Sequence, residues 1–141
     1  MTWFQKEVRL SPRGQGVYLV TDELLSQVPE LGQFKIGMAN FFVKHTSAGI
    51  TLNENYDPDV RTDMSNAFAK IAPEGDDYLH NDEGPDDMPA HIRAALVGVS
   101  VDVPIRNGRL CTGTWQGIYL CEFRKYRHTR TIVVTLNGEK N

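Results

Sequence analysis

The chain has 141 residues, 40% of them hydrophobic and 23% charged, with a formal net charge of -3. That length suits one domain, residues 1–141, around a single core, and the composition excludes a disordered tail. No lysine or arginine stripe argues for nucleic acid, and no apolar run reaches membrane-spanning length.

The opening stretch, MTWFQKEVRL, carries charges where a secretory leader needs its apolar run, so a cytoplasmic protein is expected. Lys6, Val8 and Leu10 share one parity and Gln5, Glu7 and Arg9 the other, the period of a half-buried strand. SPRGQG turns the chain into a second strand over Val17–Val20. TDELLSQVPEL then reads as one short helix, with Leu24, Leu25, Val28 and Leu31 on its apolar stripe. Phe34, Ile36 and Met38 alternate into NFFV, which reads as a strand buried on both faces that ends at His45. GITLN is a brief strand after the loop.

DPDVRTDMSNAFAKIA, residues 57–72, is the clearest helix. Asp57 suits the cap, Pro58 the first helical position and Asp59 the positive end of the dipole. Val60, Met64, Phe68 and Ile71 form its expected buried face. Residues 73–91 follow with seven acids, two histidines and no lysine or arginine. A third helix is expected from Pro89 to Val97, stopped by Gly98. Asn107-Gly108 supplies the positive φ angles of a two-residue hairpin turn. One long strand is expected from Leu110 to about Phe123, and a last one from Thr131 to Leu136. Seven or so strands and three short helices, without βαβ alternation, predict an α+β domain built mainly on antiparallel sheet. Cys111 and Cys121 lie too far apart on an extended segment to form a disulfide, and are expected to be buried and reduced.

The histidines carry the functional information. His45 ends a strand, His80 sits in the acidic segment and His91 opens a helix, each with carboxylates near in sequence. Glu54 and Asp57 accompany the first, Asp82 and Glu83 the second, and Asp86 and Asp87 the third. Neutral imidazoles suit zinc, and a carboxylate can orient the ring. The spacing matches no compact ligand motif, so capping or surface roles stand beside a metal site. Asp57, Asp59, Asp86 and Asp87 are also explained as helix-start residues. Glu54 has no such explanation, while Glu122 reads as an exposed strand end. Trp115 and Gln116 pair an aromatic plane with an amide, fit either for stacking on a heterocycle or for a bend in the core. HTSAG reads as an anion nest or as a serine close to a base, though no nucleophile elbow is present. His128 lies in a basic turn.

Taken in order, several blocks resemble the YjbQ-like family, whose members are often named secondary thiamine-phosphate synthase enzymes. The blocks are His45-Thr46-Ser47-Ala48, Thr51-Leu52-Asn53-Glu54-Asn55, Asp57-Pro58, Asp63-Met64, Asp86-Asp87-Met88-Pro89 and His91-Ile92. Gly108-Arg109, Thr112-Gly113-Thr114-Trp115-Gln116-Gly117-Ile118 and Glu122 complete them. The resemblance implies a sandwich-like homotrimer with sites near subunit contacts. It implies a divalent metal, zinc by donor type, on His45, His80 and His91, with magnesium as the companion of a diphosphate substrate. Glu54 then serves as base or orienter, and Thr46, Ser47, Asn53, Asp57, Trp115 and Gln116 as substrate-binding groups. The implied activity couples a hydroxymethylpyrimidine diphosphate to a thiazole phosphate. Metal-dependent hydrolysis of a small phosphorylated metabolite, or a metal-holding trimer without catalysis, are the alternatives.

Overall fold

A computed structural model describes residues 1–141. The chain forms β1 (Thr2–Arg9), β2 (Gly16–Leu19), α1 (Thr21–Ser26), a 3-10 turn (Pro29–Gln33), β3 (Phe34–Val43) and β4 (Ala48–Glu54). It continues with α2 (Pro58–Ile71), α3 (Asp87–Val97), β5 (Ser100–Arg106), β6 (Arg109–Leu110), β7 (Gln116–Glu122) and β8 (Thr131–Lys140). Five strands make one sheet in the order β1-β8-β3-β5-β6, and three make another in the order β2-β7-β4. Every pairing is antiparallel, as the absence of βαβ alternation requires. No helix is long and apolar enough to cross a membrane.

The sheets face one another across the main core, where Phe41, Val134 and Leu136 of the larger sheet meet Ile50, Ile118 and Leu120 of the smaller. Each such side chain, once fully buried, contributes roughly 1.5–3 kcal/mol. α2 and α3 cover the other face of the smaller sheet through Phe68, Ala90 and Ala94, which pack on Cys121 and Phe123. β7 is therefore buried on both faces, and burial pushes the Cys121 thiol up to about 12. Cys111 is exposed, contrary to expectation, because it lies in the turn between β6 and β7.

Three further departures from the sequence reading have local causes. Pro29 cannot continue the hydrogen-bonding of α1, so the expected single helix becomes a helix and a 3-10 turn. The expected long strand breaks at Cys111–Trp115, where Gly113 and Gln116 close a turn. In β3 a register shift between Phe34 and Ile36 reverses the parity. Phe34 is buried, whereas Ile36, Met38 and Phe42 face outward, so NFFV is not covered on both sides. With Trp3 they place four large apolar side chains on the outer face of the five-stranded sheet, among polar neighbours such as Gln5, Glu7, Asn40 and Asp102, and no layer of the chain covers it.

The helix ends follow their residues more closely. Asp57 accepts the Asp59 amide at 2.9 Å and caps α2, with Pro58 next, although Ile71 ends up exposed rather than on the buried face. α3 starts at Asp87, before Pro89, and stops at Gly98 with φ 94°. Asn107 and Gly108 take the positive φ angles of the β5–β6 turn, 51° and 75°.

Candidate metal centre and the groups around it

The three candidate histidines line one open cavity of about 1000 Å³, bordered by β3, the loop to β4, α3 and the acidic segment. Gly49 makes this meeting possible. A Cβ there would lie 2.9 Å from the Gly98 carbonyl oxygen and 2.9 Å from Val97 Cγ1, so glycine lets β4 approach the end of α3. The Ile50 amide donates to the Gly98 carbonyl at 3.0 Å and fixes that approach.

Asp87 and His91 are four residues apart on α3 and therefore share a face. Asp87 is 1% exposed, and its Oδ2 lies 2.8 Å from His80 Nε2 and 3.2 Å from His91 Nε2. The three atoms can serve one ion, since all lie within 4.8 Å of one another. Arg124 donates from Nη1 to Asp87 Oδ1 at 2.8 Å and from Nε to Asp86 Oδ2 at 2.9 Å. The Lys125 amide also donates to Asp86 Oδ2, at 3.0 Å. Burial alone would raise the Asp87 pKa, but the His80 hydrogen bond, the neighbouring His91 and the Arg124 charge together hold it below the usual carboxylate range. Of the acidic segment, Asp86 and Asp87 are thus paired with Arg124, and Glu74 with Lys125, just after β7.

The tautomers follow from the partners. His91 Nδ1 lies 2.8 Å from the Thr46 carbonyl oxygen, which only accepts, so Nδ1 carries a proton. The Nε2 lone pair of a neutral His91 then faces Asp87 Oδ2, acceptor against acceptor. A cation, whether proton or metal, is the group that satisfies both. Two imidazole nitrogens and one carboxylate oxygen are a zinc-type donor set.

His45 enters the same cavity differently. Its Nε2 accepts the Thr131 amide at 2.8 Å, which leaves the ring proton on Nδ1. Burial and the neighbouring Arg130 charge hold its pKa below the usual imidazole range. In this arrangement neither nitrogen of His45 has a lone pair free for an ion, and Asp87 stands in the cluster with His80 and His91 instead. Ser47 does not meet His45 as nucleophile to base. Its Oγ accepts from Arg130 Nη2 at 2.8 Å, and that guanidinium forks onto Glu122. Glu122 is fully buried, not an exposed strand end, because Leu120 and Glu122 share the face turned toward the larger sheet.

The remaining sequence candidates gather elsewhere. β4 carries the chain from Ala48, opposite Glu122, to Glu54, opposite Gln116, about 20 Å along the strand. At that far end Glu54 Oε1 accepts the Tyr56 amide at 2.6 Å and Oε2 the Asp57 amide at 3.0 Å, so its carboxylate closes the turn into α2. The Asn53 side chain accepts the Glu54 amide at 2.8 Å. Trp115 is exposed and meets the Tyr56 ring edge-on at 5.7 Å. Gln116 accepts the Gly113 amide at 2.8 Å. Within one chain, then, Thr46 borders the histidine cavity, Ser47 next to it is buried against Arg130, and Asn53, Glu54, Asp57, Trp115 and Gln116 lie away from that cavity. The spacing of Asp87 and His91 was the sequence signal for the first cluster; Arg124 gave none.

The family model described as UPF0047 protein YjbQ-like matches residues 6–139. The chain belongs to this family. It is 46% identical to UPF0047 protein YjbQ of Escherichia coli O157:H7 over 97% of this chain and 99% of that protein. A UPF0047 protein of Synechocystis is 43% identical, covering 96% and 92% of the two chains. Among solved structures, a YbjQ-like protein of unknown function from Sulfolobus solfataricus P2 superposes with TM-score 0.86 at 28% identity, covering 98% and 99%. A member of the family from Clostridium acetobutylicum gives 0.78 at 40% identity, covering 95% and 99%.

Proposed function

We propose that the histidine cavity holds a zinc-type ion on His80, His91 and Asp87 and acts on a small phosphorylated heterocycle. The observation that carries this reading is the opposition of two acceptors, His91 Nε2 and Asp87 Oδ2, at 3.2 Å. A bound divalent ion would supply charge neutralisation for a diphosphate and leave a position open to substrate. Thr46 fixes the His91 ring through its carbonyl, and Arg124 fixes the Asp87 carboxylate from behind. His45 holds a proton on Nδ1 at the cavity wall, where it can donate to an anionic oxygen. Lys44 also lines the cavity, with its ammonium paired to Glu7 at 2.7 Å. Magnesium, which prefers oxygen ligands, would arrive with the diphosphate rather than on these imidazoles.

The named reaction is the coupling that the family's secondary name suggests: a C–O bond to diphosphate breaks and a C–N bond to the thiazole nitrogen forms. It needs an anion-binding end and a surface for the pyrimidine ring. Trp115 lies at the wrong end of its own chain for that purpose, so a second copy must present it. The exposed Trp3, Ile36, Met38 and Phe42 on the uncovered sheet face support the homotrimer this requires, and Phe42 also lines the cavity. A cytoplasmic setting suits the two free thiols.

The open fourth position favours hydrolysis of a phosphorylated metabolite as the second reading. Metal analysis of the purified protein and of His91→Ala tests the site itself: equal, negligible metal in both removes it. Thiamine phosphate formation abolished by His80→Ala supports the transferase, release of inorganic phosphate alone supports the hydrolase, and ligand binding without turnover supports a metal-holding binder.

A further inference from the structure

His91 and Arg93 lie two residues apart on α3 and so point about 200° apart around it. Arg93 lines a separate cavity of about 440 Å³, enclosed by α2, the start of β2 and the end of β7. The residue is 3% exposed. Nε and Nη2 donate to the Ala72 carbonyl at 3.1 and 2.6 Å, at the C-terminal end of α2. Nη1 has no hydrogen-bond partner in the chain, yet no buried side-chain nitrogen is left sealed without one. Nη1 therefore keeps some accessible surface, and Arg93 is among the residues that line the cavity.

The other two guanidiniums of this region hold carboxylates: Arg130 holds Glu122, and Arg124 holds Asp86 and Asp87. Arg93 has none within ion-pair distance. The acids that share its cavity are already engaged, Glu74 with Lys125 at 2.7 Å and Glu122 with Arg130. Buried charges in proteins are paired, so a guanidinium in this position lacks its counter-ion. Burial lowers the Arg93 pKa, in keeping with that deficit, although Glu74, Tyr78 and Asp86 partly offset it.

We propose that this cavity is a second binding site, for a small carboxylate carrying an apolar body. The free Nη1–Nη2 end of the guanidinium is a planar fork that matches a carboxylate, since Ala72 occupies only the Nε–Nη2 edge. Val17, Phe68 and Phe123 form an apolar wall beside it, with the Phe123 centroid 5.9 Å from Arg93 Cζ. The Ser65 hydroxyl and the Asn66 amide stand at the cavity with no partners inside the chain and complete a polar rim. The volume falls within the range of small-molecule pockets.

The test is a titration of the isotopically labelled full-length protein with benzoate, benzamide and inorganic phosphate, followed by amide NMR. Benzoate is expected to shift the Phe68, Ala72 and Phe123 resonances saturably at millimolar concentration. Benzamide, the same shape without charge, should bind about tenfold more weakly or not at all. Ala69→Phe, a change on the exposed surface of α2 that fills the cavity while sparing the Arg93–Ala72 bonds, should abolish the shifts, and His91→Ala should keep them. The proposal fails if benzoate gives no saturable shift, if benzamide matches it, or if Ala69→Phe retains it. Phosphate binding in place of benzoate would overturn the carboxylate assignment, and loss in His91→Ala would place the ligand in the histidine cavity instead.

Discussion

Arg130 grips Glu122 through two bonds of 2.6 Å, Nε to Oε1 and Nη2 to Oε2, with both side chains buried. The same Nη2 reaches Ser47 Oγ and the Ser47 carbonyl, so the pair ties the loop after His45 to the end of β7. Glu122→Ala leaves a buried guanidinium without its partner and should cost about 3–5 kcal/mol. Urea denaturation checks this: the midpoint should drop while the slope stays the same. Replacing both residues with leucine should cost less than the single change. A Glu122→Ala midpoint equal to wild type would show that the pair contributes nothing.

Arg124 and Glu54 separate the groups that orient the candidate ion from those that shape the turn into α2. Arg124→Met removes the donor to Asp87 Oδ1 and should weaken zinc binding by about 10–100-fold in competition with a chelator. Glu54→Gln should leave zinc affinity unchanged, because its carboxylate serves the Tyr56 and Asp57 amides. It should lower stability by about 1 kcal/mol through the weakened turn. An affinity loss in Glu54→Gln as large as in Arg124→Met would place Glu54 at the ion.

The contrast between these residues shows what the sequence could reveal. Asp57, Pro58, Gly98 and Asn107-Gly108 act through their own backbone, so their local signals were enough to place caps and a turn. The parity of β3 is not legible in the sequence, because one bulge between Phe34 and Ile36 exchanges inside for outside and no residue type marks it. Glu122 looked like an exposed strand end because its partner lies across a turn, on the residue just before β8. The histidine cluster was legible as a set of candidates. Its exchange of His45 for Asp87 depends on the Thr131 amide and on Arg124, contacts that only the folded chain creates. Glu54 and Trp115 suit the histidines by chemistry, and within one chain the length of β4 holds the two sets apart.

His45 should make stability depend on pH. Its Nε2 accepts a backbone amide and its folded pKa is depressed, so the unfolded chain binds its proton more readily. The contribution is fully present above the unfolded imidazole value, about 6.5, and is lost as pH falls toward and through the lower folded value. Unfolding midpoints recorded from pH 8 to 5, with metal chelated, should fall more steeply for wild type than for His45→Gln. Parallel profiles would mean that His45 takes no part in the linkage.

The open sheet face gives the last prediction. Met38 sits at the middle of β3 with Asn137 and Pro104 as neighbours, and it projects from the side that no other layer of the chain covers. A lysine there is tolerated in a monomer, since the side chain already meets solvent, but it would place like charges close together in the proposed assembly through this face. Sedimentation velocity should therefore show a trimer for wild type and smaller species for Met38→Lys, with the circular dichroism of the fold retained. If a second copy presents Trp115 to the histidine cavity, as proposed, turnover should fall with the trimer while zinc binding by His80, Asp87 and His91 persists. A monomeric wild type with full activity would remove both the assembly and the shared-site arrangement.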